Sequence, residues 1–118
     1  MKETLAYLSA KSPFYQRLFV ENDIDINEIQ TLEDLKRIPV TTKRDLQLHG
    51  AEFCCVNPSE IIDYSTTSGT LGDPVTFTET EGDLQHLAYN EQLSFQTAGC
   101  TRDDIMQEMV TIDRRFMA

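Results

Sequence analysis

The sequence predicts an α/β fold in which N-terminal helices are followed by a strand–loop–strand–helix–strand unit. Over roughly residues 1–50, apolar residues recur at helical spacing behind capping residues. From about residue 60, two strand-like segments flank a loop rich in Ser, Thr, Gly and Pro. The chain has 118 residues, 40% of them hydrophobic, which is the size and composition of one globular domain.

The helical lead-in occupies roughly residues 1–50. Leu5 and Leu8 predict a short first helix. Ser12 followed by Pro13 is typical of a helix start, with Ser as the N-cap and Pro at the first helical position, and Asn22 marks the expected end. The apolar face of this second helix is formed by Phe14, Leu18 and Phe19.

Two threonines in the lead-in are each followed by an aspartate three residues later, a spacing that resembles a capping box. Thr31 with Asp34 predicts a short helix that Pro39 must end, because proline cannot continue a helix. Thr42 with Asp45 predicts the start of another helix.

The second half, residues 60–118, begins with a strand at 61–64 and continues, after a loop, with a second strand at 75–78. Thr80 with Asp83 predicts the next helix, which Gly99 ends, and Glu79, Glu81 and Asp83 are expected as acids at its start. A last strand is predicted from Ile105, Met106, Met109, Val110 and Ile112. Because such a unit normally continues, we expect the chain to be a fragment.

The charge balance limits the partners. Lys and Arg number 10 and Asp and Glu number 20, giving a net charge of −10, which argues against nucleic acid and anionic membranes. No signal peptide or membrane span is visible, so we expect a cytoplasmic protein. Cys54 and Cys55 are adjacent and Cys100 is alone, so we expect reduced thiols and no metal site.

The loop between the two strands is the candidate site. Its glycines permit a close approach of the backbone to a ligand, and its hydroxyls suit phosphate oxygens. It is not a Walker loop, since only two residues lie between its glycines, where the Walker pattern has four, and no lysine follows. A hydroxyl-rich surface turn is the alternative. The candidate phosphate-binding residues are Ser65, Thr66, Thr67, Ser68, Gly69, Thr70 and Gly72.

Residues 67–74 resemble the phosphate-binding motif of the adenylate-forming superfamily, which lies between two strands. Residues 12–15 and 38–46 resemble N-terminal segments of its phenylacetate–coenzyme A ligase branch, in the same order and spacing. Two positions depart from the family pattern. Leu71 stands where the family usually has a hydroxyl residue, and Asp73 stands where relatives often have a basic residue.

The resemblance implies that residues 1–118 are the N-terminal part of an AMP-binding domain, an incomplete piece of the large N-terminal domain of these enzymes. It implies an acid–coenzyme A ligase that uses ATP, Mg²⁺ and coenzyme A to activate an aryl or arylalkyl carboxylate. The catalytic machinery of the family lies downstream, so we expect no catalytic residue in this chain, no tightly bound cofactor and no activity by the chain alone.

Two alternatives to the ligase remain open: an adenylyltransferase of the deazaflavin-cofactor type, and a non-catalytic phosphate-binding module. We also expect the chain to self-associate, most simply as a homodimer, because an interrupted sheet leaves an edge and apolar side chains uncovered.

Overall fold

The computed structural model describes residues 1–67 and 73–107. These residues contain four α-helices: α1 (Lys2–Lys11), α2 (Pro13–Glu21), α3 (Lys43–Phe53) and α4 (Glu81–Thr97). They also contain an antiparallel pair of strands, β1 (Ile61–Thr66) and β2 (Thr76–Thr80). The predicted α/β class is confirmed. The described residues form two compact units, one made of residues 1–57 with 73–75 and the other of 58–67 with 76–107.

The core of the first unit is a small apolar cluster. Leu5 of α1, Phe19 of α2 and Ile29 are buried together, and Ile29 is 0% exposed. Burial of an aliphatic side chain of this size contributes roughly 1.5–3 kcal/mol. Partly buried side chains surround this centre: Tyr15, Leu18, Ile24, Ile26, Leu35 and Ile38.

Ser12 is the predicted N-cap of α2, and the structure confirms it. Its Oγ accepts a hydrogen bond from the Tyr15 backbone N–H at 3.4 Å. The same hydroxyl donates to the backbone carbonyl of Glu52 in α3 at 3.0 Å, and Ser12 is 0% exposed. One buried hydroxyl therefore both caps α2 and joins it to α3. Asn22 is the C-cap of α2, as predicted.

Aromatic rings and an ion pair also connect α2 to α3. The rings of Phe14 and Phe53 stack with centroids 3.9 Å apart. Arg17 forms an ion pair with Glu52, whose Oε1 lies 2.9 Å from His49 Nδ1. Hydrogen bonds from His49 and then Arg17 lower the pKa of the Glu52 carboxyl. Helix α3 departs from helical geometry at His49.

The threonine–aspartate pairs behave as predicted at two helix starts. Thr42 with Asp45 forms a reciprocal capping box at α3, and Thr80 with Asp83 forms one at α4. The Thr31 pair makes the same bonds, but a 3₁₀ turn follows it (Asp34–Arg37) rather than an α-helix. The extended backbone before Pro39 leaves no room for a second helical turn.

The second unit consists of the hairpin and α4. Gly99 follows α4 with φ of +92°, and its N–H donates to the Gln96 carbonyl at 3.0 Å, so the predicted helix end is confirmed. No residue of α4 is buried. Ile105 and Met106, at the described start of the predicted last strand, belong to no strand, and Ile105 is 100% exposed. The rest of that prediction, from residue 108, lies outside the described residues.

Candidate functional site

The hairpin determines where the predicted phosphate-binding residues lie. Ser65 and Thr66 are the last two residues of β1, Thr67 follows the strand, and all three are half-buried. Thr66 pairs with Thr76 of β2, so the two strand ends that the loop connects lie side by side. The remaining predicted residues lie outside the described part of the chain: Ser68, Gly69, Thr70 and Gly72.

Ser65 has a specific partner on the neighbouring strand. Its hydroxyl donates to Glu79 Oε1 at 2.5 Å, within the short range of hydrogen bonds to a carboxylate. Ser65 pairs with Phe77 and Glu79 pairs with Asp63, so Ser65 and Glu79 are diagonal neighbours on one face of the ladder. The hydroxyl that was predicted to face phosphate is therefore bonded within the hairpin.

Glu79 is the residue that sequence reasoning missed. We expected it among the acids at the start of the helix, but it lies in β2 and is only 7% exposed. Glu81 and Asp83 do lie in the first turn of α4, as expected. The alternation of Val75, Phe77 and Glu79 at the strand period of two was the available signal that Glu79 belongs to β2.

Asp73, the residue that follows the candidate loop, has a hydrogen bond within the first unit. The side-chain amide of Gln47, in α3, donates to the backbone carbonyl of Asp73. Val75, two residues further on, is buried. Because the bond uses the Asp73 backbone, the identity of its side chain is not needed for the anchor.

The N-terminus of α4 is closed by its own residues. The Asp83 carboxylate accepts from the Thr80 N–H at 2.9 Å and from the Thr80 hydroxyl at 2.8 Å. These bonds lower the pKa of Asp83, with a smaller contribution from His86. The start of α4 is therefore capped by two of its own residues, through the Thr80 hydroxyl and the Asp83 carboxylate.

Over residues 1–67 and 73–107, no group of three or more His, Cys, Asp or Glu side chains could hold a metal ion. The three cysteines are free thiols, and burial together with the neighbouring Cys54 raises the pKa of Cys55. A raised pKa makes the Cys55 thiolate scarce at neutral pH, so this thiol is a weak nucleophile. In the same residues no helix has the length and apolarity needed to cross a membrane.

The two upstream motifs meet in space. The Tyr15 hydroxyl, in the segment 12–15, lies 3.2 Å from Thr41 Oγ1, in the segment 38–46. The Ser12 bond to the Glu52 carbonyl lies at the same helix–helix junction. These motifs therefore build the contact between α2 and α3.

Curated relatives were found over most of the chain, although no protein-family model matches it. The chain is 36% identical over 100 residues to the phenylacetate–coenzyme A ligase of Thermus thermophilus, which covers 84% of the chain and 22% of the relative. It is 28% identical over 105 residues to the enzyme of the same name from Escherichia coli, covering 88% and 24%.

Solved structures of another coenzyme A ligase also match the chain. A 2-hydroxyisobutyryl-CoA ligase in complex with 2-HIB-AMP and CoA, in the thioesterification state, matches with a TM-score of 0.67 and 31% identity, covering 75% of the chain and 20% of the ligase. A postadenylation state of that ligase with R3-HIB-AMP matches with a TM-score of 0.72 and 26% identity, covering 84% and 22%. The chain thus spans between a fifth and a quarter of the length of these relatives.

Proposed function

Because the chain belongs to the phenylacetate–coenzyme A ligase-like branch of the adenylate-forming superfamily, we propose that its parent enzyme is an ATP-dependent acid–coenzyme A ligase. The parent enzyme is the longer protein of which we propose this chain to be the N-terminal part. The 36% identity to the Thermus thermophilus ligase is the observation that carries the proposal. The substrates are ATP, coenzyme A and an aryl or arylalkyl carboxylate such as phenylacetate.

The proposed reaction has two steps. The substrate carboxylate attacks the α-phosphorus of ATP, the bond to the β-phosphate oxygen breaks, and pyrophosphate leaves an acyl-adenylate behind. The thiol of coenzyme A then attacks the acyl carbon, loses its proton and displaces AMP to give the thioester. No oxidant or reductant is needed.

Within this reaction we assign the loop within residues 65–72 to the β- and γ-phosphates. The hairpin supports this role, since the pairing of Thr66 with Thr76 brings together the two strand ends that the loop connects. Holding the leaving pyrophosphate in line is catalysis by positioning and charge stabilisation. Mg²⁺ would arrive with the triphosphate, since protein Mg²⁺ sites commonly use substrate phosphates as ligands.

The division of labour along the chain follows from this assignment. We propose that residues 1–50 form the helical lead-in and residues 60–118 carry the phosphate loop, with all of 1–118 belonging to one AMP-binding domain. The acid pocket and the group that completes the second step would then lie downstream. The chain alone is accordingly inactive. The free thiols suit a reducing compartment, and we propose the cytoplasm.

Phenylacetate is favoured as the acid by the names of the curated relatives, while the structural neighbours are named for 2-hydroxyisobutyrate. ATP–pyrophosphate exchange by the parent enzyme distinguishes the two acids. We expect exchange with phenylacetate to exceed exchange with 2-hydroxyisobutyrate and with no acid. The absence of exchange with any carboxylate, from a folded enzyme that still binds ATP, would refute the ligase and favour a phosphate-binding module.

The loop assignment has its own test. Thr70→Ala removes one hydroxyl donor and, by analogy with a lost oxyanion donor, should slow adenylation about 10²-fold. Gly69→Val adds a side chain where we propose that the backbone approaches phosphate, and should be at least as damaging. Thioester formation from a supplied acyl-adenylate contains no β- or γ-phosphate and should be preserved.

The matched control is Thr78→Ala, which removes a hydroxyl from an exposed position of β2 outside the proposed site. We expect both half-reactions of this variant to be close to those of the wild type. If Thr70→Ala and Thr78→Ala behaved alike, or if Thr70→Ala slowed both half-reactions equally, residues 65–72 would not be holding phosphates.

A further inference from the structure

The single proton of the Ser65 hydroxyl limits what this residue can bind. The proton is donated to Glu79 Oε1 at 2.5 Å. The phosphate oxygens of ATP are acceptors, and a serine hydroxyl has one proton to donate. While the bond to Glu79 exists, Ser65 can present only lone pairs to a phosphate, and these repel it. Ser65 therefore serves either Glu79 or the nucleotide.

Burial decides between these two acceptors. Glu79 is 7% exposed, so its carboxylate has given up most of its hydration and depends on hydrogen bonds from the protein. Breaking the bond would leave a buried charge short of a partner, which is a larger loss than an ordinary hydrogen bond. The structure favours retention of the Ser65–Glu79 bond.

The position of the bond gives it a mechanical role. Ser65 is one residue from the end of β1, where the loop begins, and Glu79 immediately precedes Thr80, the N-cap of α4. The bond crosses the ladder diagonally, from the level of Phe77 to the level of Asp63. It thus fixes the register of the two strands at the base of the loop and ties that base to the start of α4.

We infer that Glu79 is a positioning residue of the phosphate-binding loop, that it acts through Ser65, and that Ser65 itself binds no phosphate. The inference rests on the proposed phosphate-binding function of the loop, and it removes Ser65 from the candidate phosphate ligands while leaving residues 66–72. It predicts that Ser65 and Glu79 act as a unit, so that losing either one has the same effect on nucleotide binding as losing both.

The experiment measures the KM for ATP in the exchange reaction of the parent enzyme, together with thioester formation from a supplied acyl-adenylate. Ser65→Ala and Glu79→Leu should each raise the KM for ATP by about 3- to 10-fold. The upper end of this range is close to the effect of losing one hydrogen bond to a charged group. The double variant should be no worse than either. Glu79→Gln, which keeps an oxygen that can accept from Ser65, should restore most of the affinity that Glu79→Leu loses. Thioester formation should be unchanged in all four.

The opposite assignment gives a different pattern. If Ser65 were a phosphate ligand, Glu79→Leu would free the Ser65 hydroxyl to donate its hydrogen bond to phosphate and would remove a negative charge. The KM for ATP would then fall or stay constant. That result overturns the inference and leaves the proposed function standing. Equal losses in both half-reactions for Ser65→Ala and Glu79→Gln would also overturn it, since they would indicate a general effect on folding. An unaltered Thr70→Ala variant would instead overturn the proposed function.

Discussion

Ser12→Ala tests whether the helical lead-in is held by the bond between α2 and α3. Loss of an N-cap hydroxyl ordinarily costs about 1 kcal/mol. Here the capping bond to the Tyr15 N–H is 3.4 Å long, outside the ordinary range of about 2.7–3.2 Å. Its contribution to the free energy of unfolding should therefore be smaller than that of an ordinary N-cap. The 3.0 Å bond to the Glu52 carbonyl is shorter and is made by a residue that is 0% exposed. Leaving that carbonyl without its donor should cost a further 1–3 kcal/mol, roughly.

We therefore expect Ser12→Ala to lower the free energy of unfolding by about 2 kcal/mol. Ser12→Gly separates the two contributions, because glycine is only a few tenths of a kcal/mol, roughly, below serine as an N-cap but lacks the hydroxyl that bonds Glu52. If the bond between the helices dominates, Ser12→Gly should cost nearly as much as Ser12→Ala. If the cap dominates, the glycine variant should be close to the wild type.

The assay is urea unfolding of the 118-residue chain, followed by far-ultraviolet circular dichroism and evaluated from the midpoint and slope. Thr4→Ala removes a hydroxyl from an exposed position of α1 and serves as the control, with an expected change within about 0.5 kcal/mol. A Ser12→Gly variant as stable as the wild type, beside a destabilised Ser12→Ala, would refute the reasoning from bond length and burial.

Three further predictions concern pH, activity and assembly. Hydrogen bonds from Thr42 lower the pKa of the Asp45 carboxyl in the folded chain, so its stabilising contribution is present above the unfolded pKa of about 4 and is lost as the pH falls below it. The urea midpoint of the wild type should therefore drop more between pH 5 and 3, roughly, than that of Asp45→Asn. The purified chain should release no pyrophosphate from ATP, Mg²⁺ and phenylacetate, and robust turnover would contradict the assignment of the missing machinery to downstream residues. Because Ile105 is fully exposed and α4 buries no side chain, light scattering should show a species larger than a monomer; a clean monomer at high concentration would count against self-association.

The parts of the fold that could be predicted from the sequence are those set by residues close in the chain. A threonine and an aspartate three residues apart are enough to form the boxes at Thr42 and Thr80, because the bonds are made within one helical turn. Gly99 is equally local, since its positive φ allows the chain to leave α4. These devices do not depend on what the helix packs against.

The bonds that define the candidate site were not predictable in this way. The Ser65–Glu79 bond depends on the strand register, and a shift of one residue would place the two side chains on opposite faces. The bond from Gln47 to Asp73 joins residues 26 positions apart. Glycines and hydroxyls identify a loop as a candidate site, but which hydroxyls remain available to a ligand is decided by the neighbouring strand.

The surroundings of the loop also determine what kind of phosphate site this can be. The buried Glu79 carboxylate sits at its base, Asp73 follows it directly, and the chain as a whole carries a net charge of −10. At an illustrative separation of about 10 Å, one negative charge and one phosphate charge repel each other by roughly 0.4 kcal/mol in water and about 1.7 kcal/mol at the effective dielectric constant of a protein surface. This repulsion is not offset at Glu79 within the described residues, because its described partner there is the neutral hydroxyl of Ser65 and no cationic side chain. If residues 65–72 hold a triphosphate, its charge must therefore be balanced by backbone N–H groups of the loop, by Mg²⁺ carried with the nucleotide, and by cationic groups of the parent enzyme beyond this segment.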